Sequence, residues 1–266
     1  MNPFDEFPAR EMANLSFLVS DIDDTLTLGG VLPAAVYTAL ETMRAIGIKV
    51  ILITGRPAGW CDMIARFWPI DAVVGENGSF YFKPENGQIK RVWIDQAETR
   101  TANLAKLQIM AEQIVGEFPG TALAEDNPWR ATDVAVDFAE DVKALPLTVA
   151  EQIRSRFEQM GATAKVSSIH VNAWIGSYDK LSMFERLLAA EYKLSVDDIL
   201  TKTIYTGDSP NDAPMFRRFF LSVGMKSVRQ YDMPKSDLPG FVTDGDGADG
   251  FMEVAKQVLQ SKKQVS

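Results

Sequence analysis

Residues 21–24 read Asp-Ile-Asp-Asp, which sets three carboxylates within four positions just after the run Phe17-Leu18-Val19-Ser20. Carboxylates this close repel one another, and only a cation or a shared proton relieves them. Buried as a strand, the run throws Asp21, Asp23 and Asp24 out at its carboxyl end, where open parallel sheets bind ligands. Taken alone, the motif also suits a solvated turn in which Asp and Thr cap the next helix. Two further runs share the pattern. Lys49–Arg56 (KVILITGR) ends in a hydroxyl, a glycine and a base, and Thr203–Phe216 (TIYTGDSPNDAPMF) ends in Asp208 and Asp212. Between them, Tyr178-Asp179-Lys180 precedes an amphipathic segment.

The elements that must position these residues alternate strand and helix. Ser16 to Ser20 reads as a strand, Pro33 to Ile46 as a helix closed by Gly47, Ile48 to Ile53 as a second strand and Ala58 to Phe67 as the next helix. Ala72 to Val74 is a short strand leading into Glu76-Asn77-Gly78, and Phe80 to Phe82 with Ile89 to Trp93 suggest a hairpin. From Gln96 the rhythm becomes helix, strand, strand, twice over: Glu98 to Phe118, Ala122 to Glu125, Thr132 to Phe138, then Leu147 to Met160, Thr163 to Ser167, Ile169 to Ile175. That rhythm favours an antiparallel sheet with helices on one face. After Gly176 the earlier alternation resumes through Leu181 to Glu191, Ile204 to Thr206, Ala213 to Phe219 and Leu221 to Val223, ending in a helix over Phe251 to Leu259.

The ordered set DxDxT, strand-end Thr, Lys and GDxxND resembles the haloacid dehalogenase superfamily of phosphotransferases. The resemblance implies an α/β fold: a Rossmann-like parallel-sheet core, residues 1–94 and 176–266, with an inserted α+β cap, residues 95–175, of the kind found in Cof-type hydrolases and sugar-phosphate phosphatases. By its place in DxDxT, Asp21 is the expected nucleophile and Asp23 the general acid and base. Mg²⁺ suits the cluster, because it prefers hard oxygen ligands and binds through a few carboxylates plus substrate phosphate. The expected ligands are Asp21, Asp208 and the Asp23 main-chain carbonyl, with Asp212 bound directly or through water. Thr54, Lys180 and Asn211 are the expected phosphate contacts. Asp24 departs from the glycine that many relatives carry, which puts the geometry of the nucleophile loop in question.

The implied activity is Mg²⁺-dependent hydrolysis of a phosphomonoester through an aspartyl phosphate, on a small soluble metabolite such as a sugar phosphate or phosphorylated glycoside. The alternatives are a phosphotransferase or mutase, and a catalytically silent binding protein on the same fold. Residues at alternate positions of the cap strands separate Ile169, Val171, Ala173 and Ile175 from His170, Asn172 and Trp174. The first set should meet the cap helices. The second defines a polar face, and makes Lys165, His170 and Asn172 candidates for contacting the leaving group, unless that face is merely solvated.

Composition agrees. At 266 residues and 46% hydrophobic content the chain can bury a large core and a smaller one. A formal net charge of −9 argues against nucleic acid as a partner. With no long apolar run, the expectation is a cytoplasmic protein that does not enter membranes. Cys61 is the single cysteine, so no intrachain disulfide forms; its apolar surroundings suit a buried small hydrophobe. Trp60, Phe67 and Trp68 are expected in the core or in the wall beside the site. Asp244 to Gly250 (DGDGADG) imitates a calcium loop, but Glu253 does not complete that pattern, and a connection into the last helix is the expected reading.

Overall fold

Near-continuous apolar runs of four or five residues are what strands buried on both faces require. In the computed structural model, which describes residues 1–193, 195 and 199–263, thirteen strands form. They are β1 (Asn2–Pro3), β2 (Phe17–Ser20), β3 (Lys49–Ile53), β4 (Ala72–Gly75), β5 (Phe80–Glu85), β6 (Gln88–Trp93), β7 (Ala122–Leu123), β8 (Asp133–Asp137), β9 (Thr163–Val166), β10 (His170–Trp174), β11 (Thr203–Gly207), β12 (Ser222–Gly224) and β13 (Phe241–Val242). One sheet runs β1-β13-β12-β11-β2-β3-β4-β5-β6, the other β7-β8-β10-β9. Pairing is parallel from β1 across to β4, and antiparallel through β5 and β6. From β2 the chain moves first to β3 on one side and later to β11 on the other. The carboxyl ends of these three strands therefore meet at a switch point, the crevice where such sheets bind ligands.

Period-two alternation divides the core. Leu18, Val50, Leu52, Val73 and Ile204 face the helices Ala34–Ala45, Ala58–Phe67 and Gly247–Lys263. Phe17, Val19, Ile51, Ile53 and Tyr205 face the helices Lys180–Glu191 and Ala213–Arg218. Fully burying a side chain of this kind contributes roughly 1.5–3 kcal/mol, so both faces hold the sheet firmly.

In the smaller sheet Val134, Val136, Ala164, Val166, Val171 and Ala173 pack against the helices Ala97–Glu117 and Leu147–Gln159. The opposite face carries Asp133, Asp137, His170, Asn172 and Trp174, all buried, and it turns toward the switch point.

Several boundaries differ from expectation for identifiable reasons. β7 stops at Leu123 because the Asn127 side chain takes over the ladder, donating to Ala135 O at 2.8 Å and accepting from Ala135 N–H at 2.9 Å. The last helix starts at Gly247 rather than Phe251, with the Ala248 N–H bound to Thr27 O at 3.0 Å. Glu253 accepts the N–H groups of Asp244 and Gly245 at 3.2 and 2.6 Å, so its carboxylate holds the connection it was expected to follow. Of the three aromatics expected in the core or the wall beside the site, Trp68 packs partly buried against the core, Trp60 is exposed with its ring 4.6 Å from the guanidinium carbon of cavity-lining Arg56, and Phe67 is exposed. Among the described residues no helix is long and apolar enough to cross a membrane.

The loop after β4 packs against the start of the helix that Lys180 opens. Gly78 has φ +110°, and a Cβ there would run into the Asp179 carbonyl, one residue before Lys180. We therefore expect Gly78→Ala to lower stability by about 2 kcal/mol or more, through backbone strain and displacement of the helix start. A denaturant midpoint with an unchanged slope would measure it, and a loss under about 0.5 kcal/mol would contradict the packing described.

Candidate active site

Each of the three central strand ends delivers one motif. The Asp21 N–H donates to Thr206 O at 2.9 Å, carrying the β2–β11 ladder one residue further and fixing where the carboxylate emerges. After β11 the chain turns so tightly that a Cβ on Gly207 would lie 2.5 Å from Asp212 Oδ2. That oxygen accepts the N–H groups of Asp208 and Ser209 at 3.0 and 3.2 Å. Lys180 opens its helix behind Asp179, whose side chain accepts the Ser182 N–H at 2.8 Å. A cation at a helix start is unfavourable unless anions face it. Two do: Lys180 Nζ lies 2.7 Å from Asp21 Oδ1 and 2.7 Å from Asp212 Oδ1. Tyr205 Oη donates to the same Asp212 oxygen at 2.6 Å.

Asp21, Asp208 and Asp212 are buried, and each offers an oxygen within 4.8 Å of the others. One ammonium faces three carboxylates. Burial pushes Asp21 up to about 8, with Asp212 and Asp23 adding to the shift and Lys180 opposing it. Asp208 is driven well above the usual carboxylate range by burial, then by Asp21 and Asp212. Burial would lower Lys180, but Asp21 and Asp212 outweigh it and hold the ammonium charged.

This donor set fits a small hard dication. It is all oxygen, and the one side-chain hydrogen bond to Asp208 among the described residues is a long one from Thr25, 3.5 Å. Asp212 differs, because each of its oxygens already accepts two donors. Its geometry suits holding Lys180 and the turn, so Asp21 and Asp208 are the carboxylates with open oxygens.

Of the expected phosphate contacts, Thr54 Oγ1 accepts the Arg56 N–H at 3.0 Å, which leaves its own proton to donate. Asn211 uses its Oδ1 on Ser209 Oγ at 3.0 Å and lines the catalytic cavity. Asp23 is held by Arg56, with Nε 3.0 Å from both oxygens and Nη2 2.9 Å from Oδ1. Asp24 has φ +50°, a left-handed conformation that Asp tolerates better than most residues, so the turn survives without glycine. Its carboxyl is raised mainly by burial.

The cap sheet closes this site. His170 and Asn172 line the same cavity as Asp21, Asp23 and Asp208, whereas Lys165 lies apart, in a 630 Å³ cleft with Arg217 and Tyr231. β9 is an edge strand, so the shared face carries Lys165 to the rim. The larger cleft contains none of the motif carboxylates. The cavity that Asp21, Asp23 and Asp208 line measures about 10 Å³, room for roughly one water.

Sequence reading missed the residues that join cap to core. Buried Glu76 accepts the N–H groups of Ala58, Ala131 and Thr132 at 2.8, 2.9 and 2.7 Å, and also the Thr132 hydroxyl. Arg130 binds Asp126, Asp133 and the Gly55 carbonyl, each at 2.8–3.0 Å. Arg56 reaches Glu140 and Asp126. Neighbouring Asn77, with φ +54°, has both amide atoms buried with no partner among the described residues. The available signal was the base ending KVILITGR, together with the unbroken Glu76-Asn77-Gly78 triplet.

Sheet order and the inserted four-stranded sheet give a fold similar to that of haloacid dehalogenase-like hydrolases. Residues 18–106 match the family model described as haloacid dehalogenase-like hydrolase. Similar solved structures include the C-terminal domain of trehalose-6-phosphate phosphatase from C. albicans, at 10% identity and TM-score 0.69 over all of both chains. Sucrose-phosphatase from Synechocystis, in complex with sucrose and phosphate, aligns at 18% identity and TM-score 0.60 over 92% of this chain and 98% of that one. A haloacid dehalogenase-like hydrolase from Bacteroides thetaiotaomicron aligns at 14% identity and TM-score 0.60, over 92% and 99%. At these identities the likeness establishes the fold. No curated protein matches the chain.

The crowded carboxylates carry a pH signature. With Asp21 and Asp208 raised above the ordinary carboxylate value of about 4, the folded state binds more protons than the unfolded chain over about pH 4 to 8, so stability falls as pH rises through that window. In chelator the melting temperature should drop between about pH 5 and 8. Mg²⁺ should restore more of it at pH 8 than at pH 5, and Asp208→Asn should shrink both effects. A flat profile with no response to Mg²⁺ would contradict the crowding.

Proposed function

We propose that this chain is a phosphomonoester hydrolase acting through an aspartyl phosphate on Asp21, with Mg²⁺ as cofactor and a small soluble sugar phosphate as substrate. The observation that carries the reading is the Asp21 carboxylate, buried at the sheet's switch point with one oxygen fixed 2.7 Å from Lys180 and the other free to attack.

The free oxygen attacks phosphorus, and the ester oxygen departs with a proton from Asp23. Water then attacks the acyl phosphate, gives its proton to Asp23 and regenerates the Asp21 carboxylate as inorganic phosphate leaves. Lys180, Thr54 and Asn211 supply one cation and two polar groups for the phosphoryl oxygens, the electrostatic help this reaction chiefly needs. Asp21, Asp208 and the Asp23 carbonyl would hold the metal, which when bound neutralises the nucleophile and phosphate charges together. Asp212 serves by orienting Lys180.

Residues 95–175 act in this reading as a cap that reads the leaving group through His170 and Asn172. A cavity for one water cannot hold a sugar, so the cap lifts for substrate to enter and closes to exclude bulk water during chemistry. The sugar-phosphate assignment is supported by the trehalose-6-phosphate and sucrose phosphatases that share the fold.

Asp21→Asn should remove turnover of an aryl phosphate by at least about a thousandfold while leaving the circular dichroism spectrum unchanged, because an amide cannot form the acyl phosphate. Asp23→Asn should be crippled too, yet accumulate phosphoenzyme. Asp21→Asn activity within about tenfold of wild type, a loss of only ~1.4 kcal/mol, would rule out covalent catalysis at this residue.

A further inference from the structure

On the cap side of the cavity, carboxylates crowd around Arg56. Glu140 accepts from Arg56 Nη2 at 2.5 Å and from Nη1 at 3.2 Å, and His170, the chain's one histidine, brings Nε2 to 2.9 Å from Glu140 Oε2. Asp23 occupies the other edge of the guanidinium, and Asp126 accepts from Nη1 at 3.4 Å while also bound to Arg130. Asp24 is close enough to be repelled by Asp23 and Glu140 and attracted by Arg56. The cations on this side are thus already matched or outnumbered by carboxylates.

Glu140 is presented by a built turn. Asp137, buried at the end of β8, accepts the N–H groups of Ala139, Glu140 and Asp141 at 2.9, 2.8 and 2.8 Å. The residue is exposed but its carboxylate turns inward onto Arg56 and His170, both of which line the catalytic cavity. His170 and Arg56, opposing burial, hold that carboxylate down at about 2, so it is ionised at neutral pH.

Among the described residues that line the cavity Arg56 is the one arginine or lysine, and Glu140 and Asp23 already hold it, so a second negative charge on the leaving group would face those carboxylates with no unmatched cation in the lining. Uncharged hydroxyls would meet carboxylate acceptors and the Asn172 amide, and would carry no such penalty. We propose that Glu140 is a specificity-determining residue that sets the charge of the leaving group. It admits phosphate esters of uncharged polyhydroxy alcohols and rejects those whose alcohol bears a carboxylate or a second phosphate, a selection made by repulsion of the wrong ligand. The inference rests on the phosphomonoesterase reading of the same site.

The test is competition against aryl phosphate hydrolysis by matched pairs that differ in a carboxylate: glucose 6-phosphate with 6-phosphogluconate, and glycerol 3-phosphate with 3-phosphoglycerate. In the wild type the neutral member of each pair should inhibit, or turn over, about tenfold or more better, as like-charge juxtaposition demands. Glu140→Gln and Glu140→Ala should each narrow both ratios at least about fivefold on the same electrostatic ground. Asp141→Asn, which removes an exposed neighbouring charge, should leave the ratios alone. Equal action of the two members in the wild type, no action by any of the four, or ratios unmoved in both Glu140 variants would overturn the proposal while hydrolysis of the aryl phosphate persists. A wild type that cannot hydrolyse the aryl phosphate would overturn the phosphatase reading and this one together.

Discussion

Three buried carboxylates share one ammonium. Removing a charge from water costs several kcal/mol even after relaxation, and Lys180 cannot compensate Asp21, Asp208 and Asp212 together. The arrangement is therefore stable only with a proton or a further cation in the cluster, which ties the structure of the switch point to its chemistry. Much nearby geometry follows from this need. The Gly207 turn brings Asp212 back onto two main-chain N–H groups, Tyr205 adds a third donor, and Lys180 supplies the fourth. Asp212 is so well satisfied that it acts as an anchor, while Asp21 and Asp208 keep open oxygens.

The same problem recurs one layer out. Arg130, wholly buried, lies between Asp126 and Asp133, and Glu76 takes main-chain donors from both sides of the cap boundary. Removing one partner of a buried ion pair commonly costs about 3–5 kcal/mol, which holds Arg130 in place within residues 95–175; its bond to the Gly55 carbonyl and the Glu76 contacts then carry across to the core. Arg56 connects the two layers: it binds Asp23, the proposed proton donor, with one edge and cap carboxylates with the other.

How much of this was legible in the sequence depends on the range of the interaction. The strand-end motifs could be read because each follows its own apolar run, and the helix Ala58–Phe67 matched to the residue. The alternation in β10 correctly sorted Val171 and Ala173 from His170 and Asn172. What could not be read is pairing between distant positions. Arg56 meets Glu140 across 84 residues and Glu76 meets Thr132 across 56, and no local pattern encodes either contact. Lys165 shares the face of Asn172 by alternation, yet its edge strand takes it to another cleft. The sequence shows Asp212 as a carboxylate beside Asp208, but not the four donors that reach it, two of them from Tyr205 and from Lys180, 32 residues away.

A cation is expected to complete this buried cluster by replacing protons. Titration calorimetry of the protein with Mg²⁺ at pH 7, repeated in buffers of different ionisation enthalpy, measures that directly. Binding should release close to one proton or more per ion, because Asp21 and Asp208 are held above their ordinary values until the metal arrives, and Asp208→Asn should weaken binding and reduce the release. Mg²⁺ binding with no proton release, or no binding at millimolar concentration, would show that no cation takes the place of protons in this cluster.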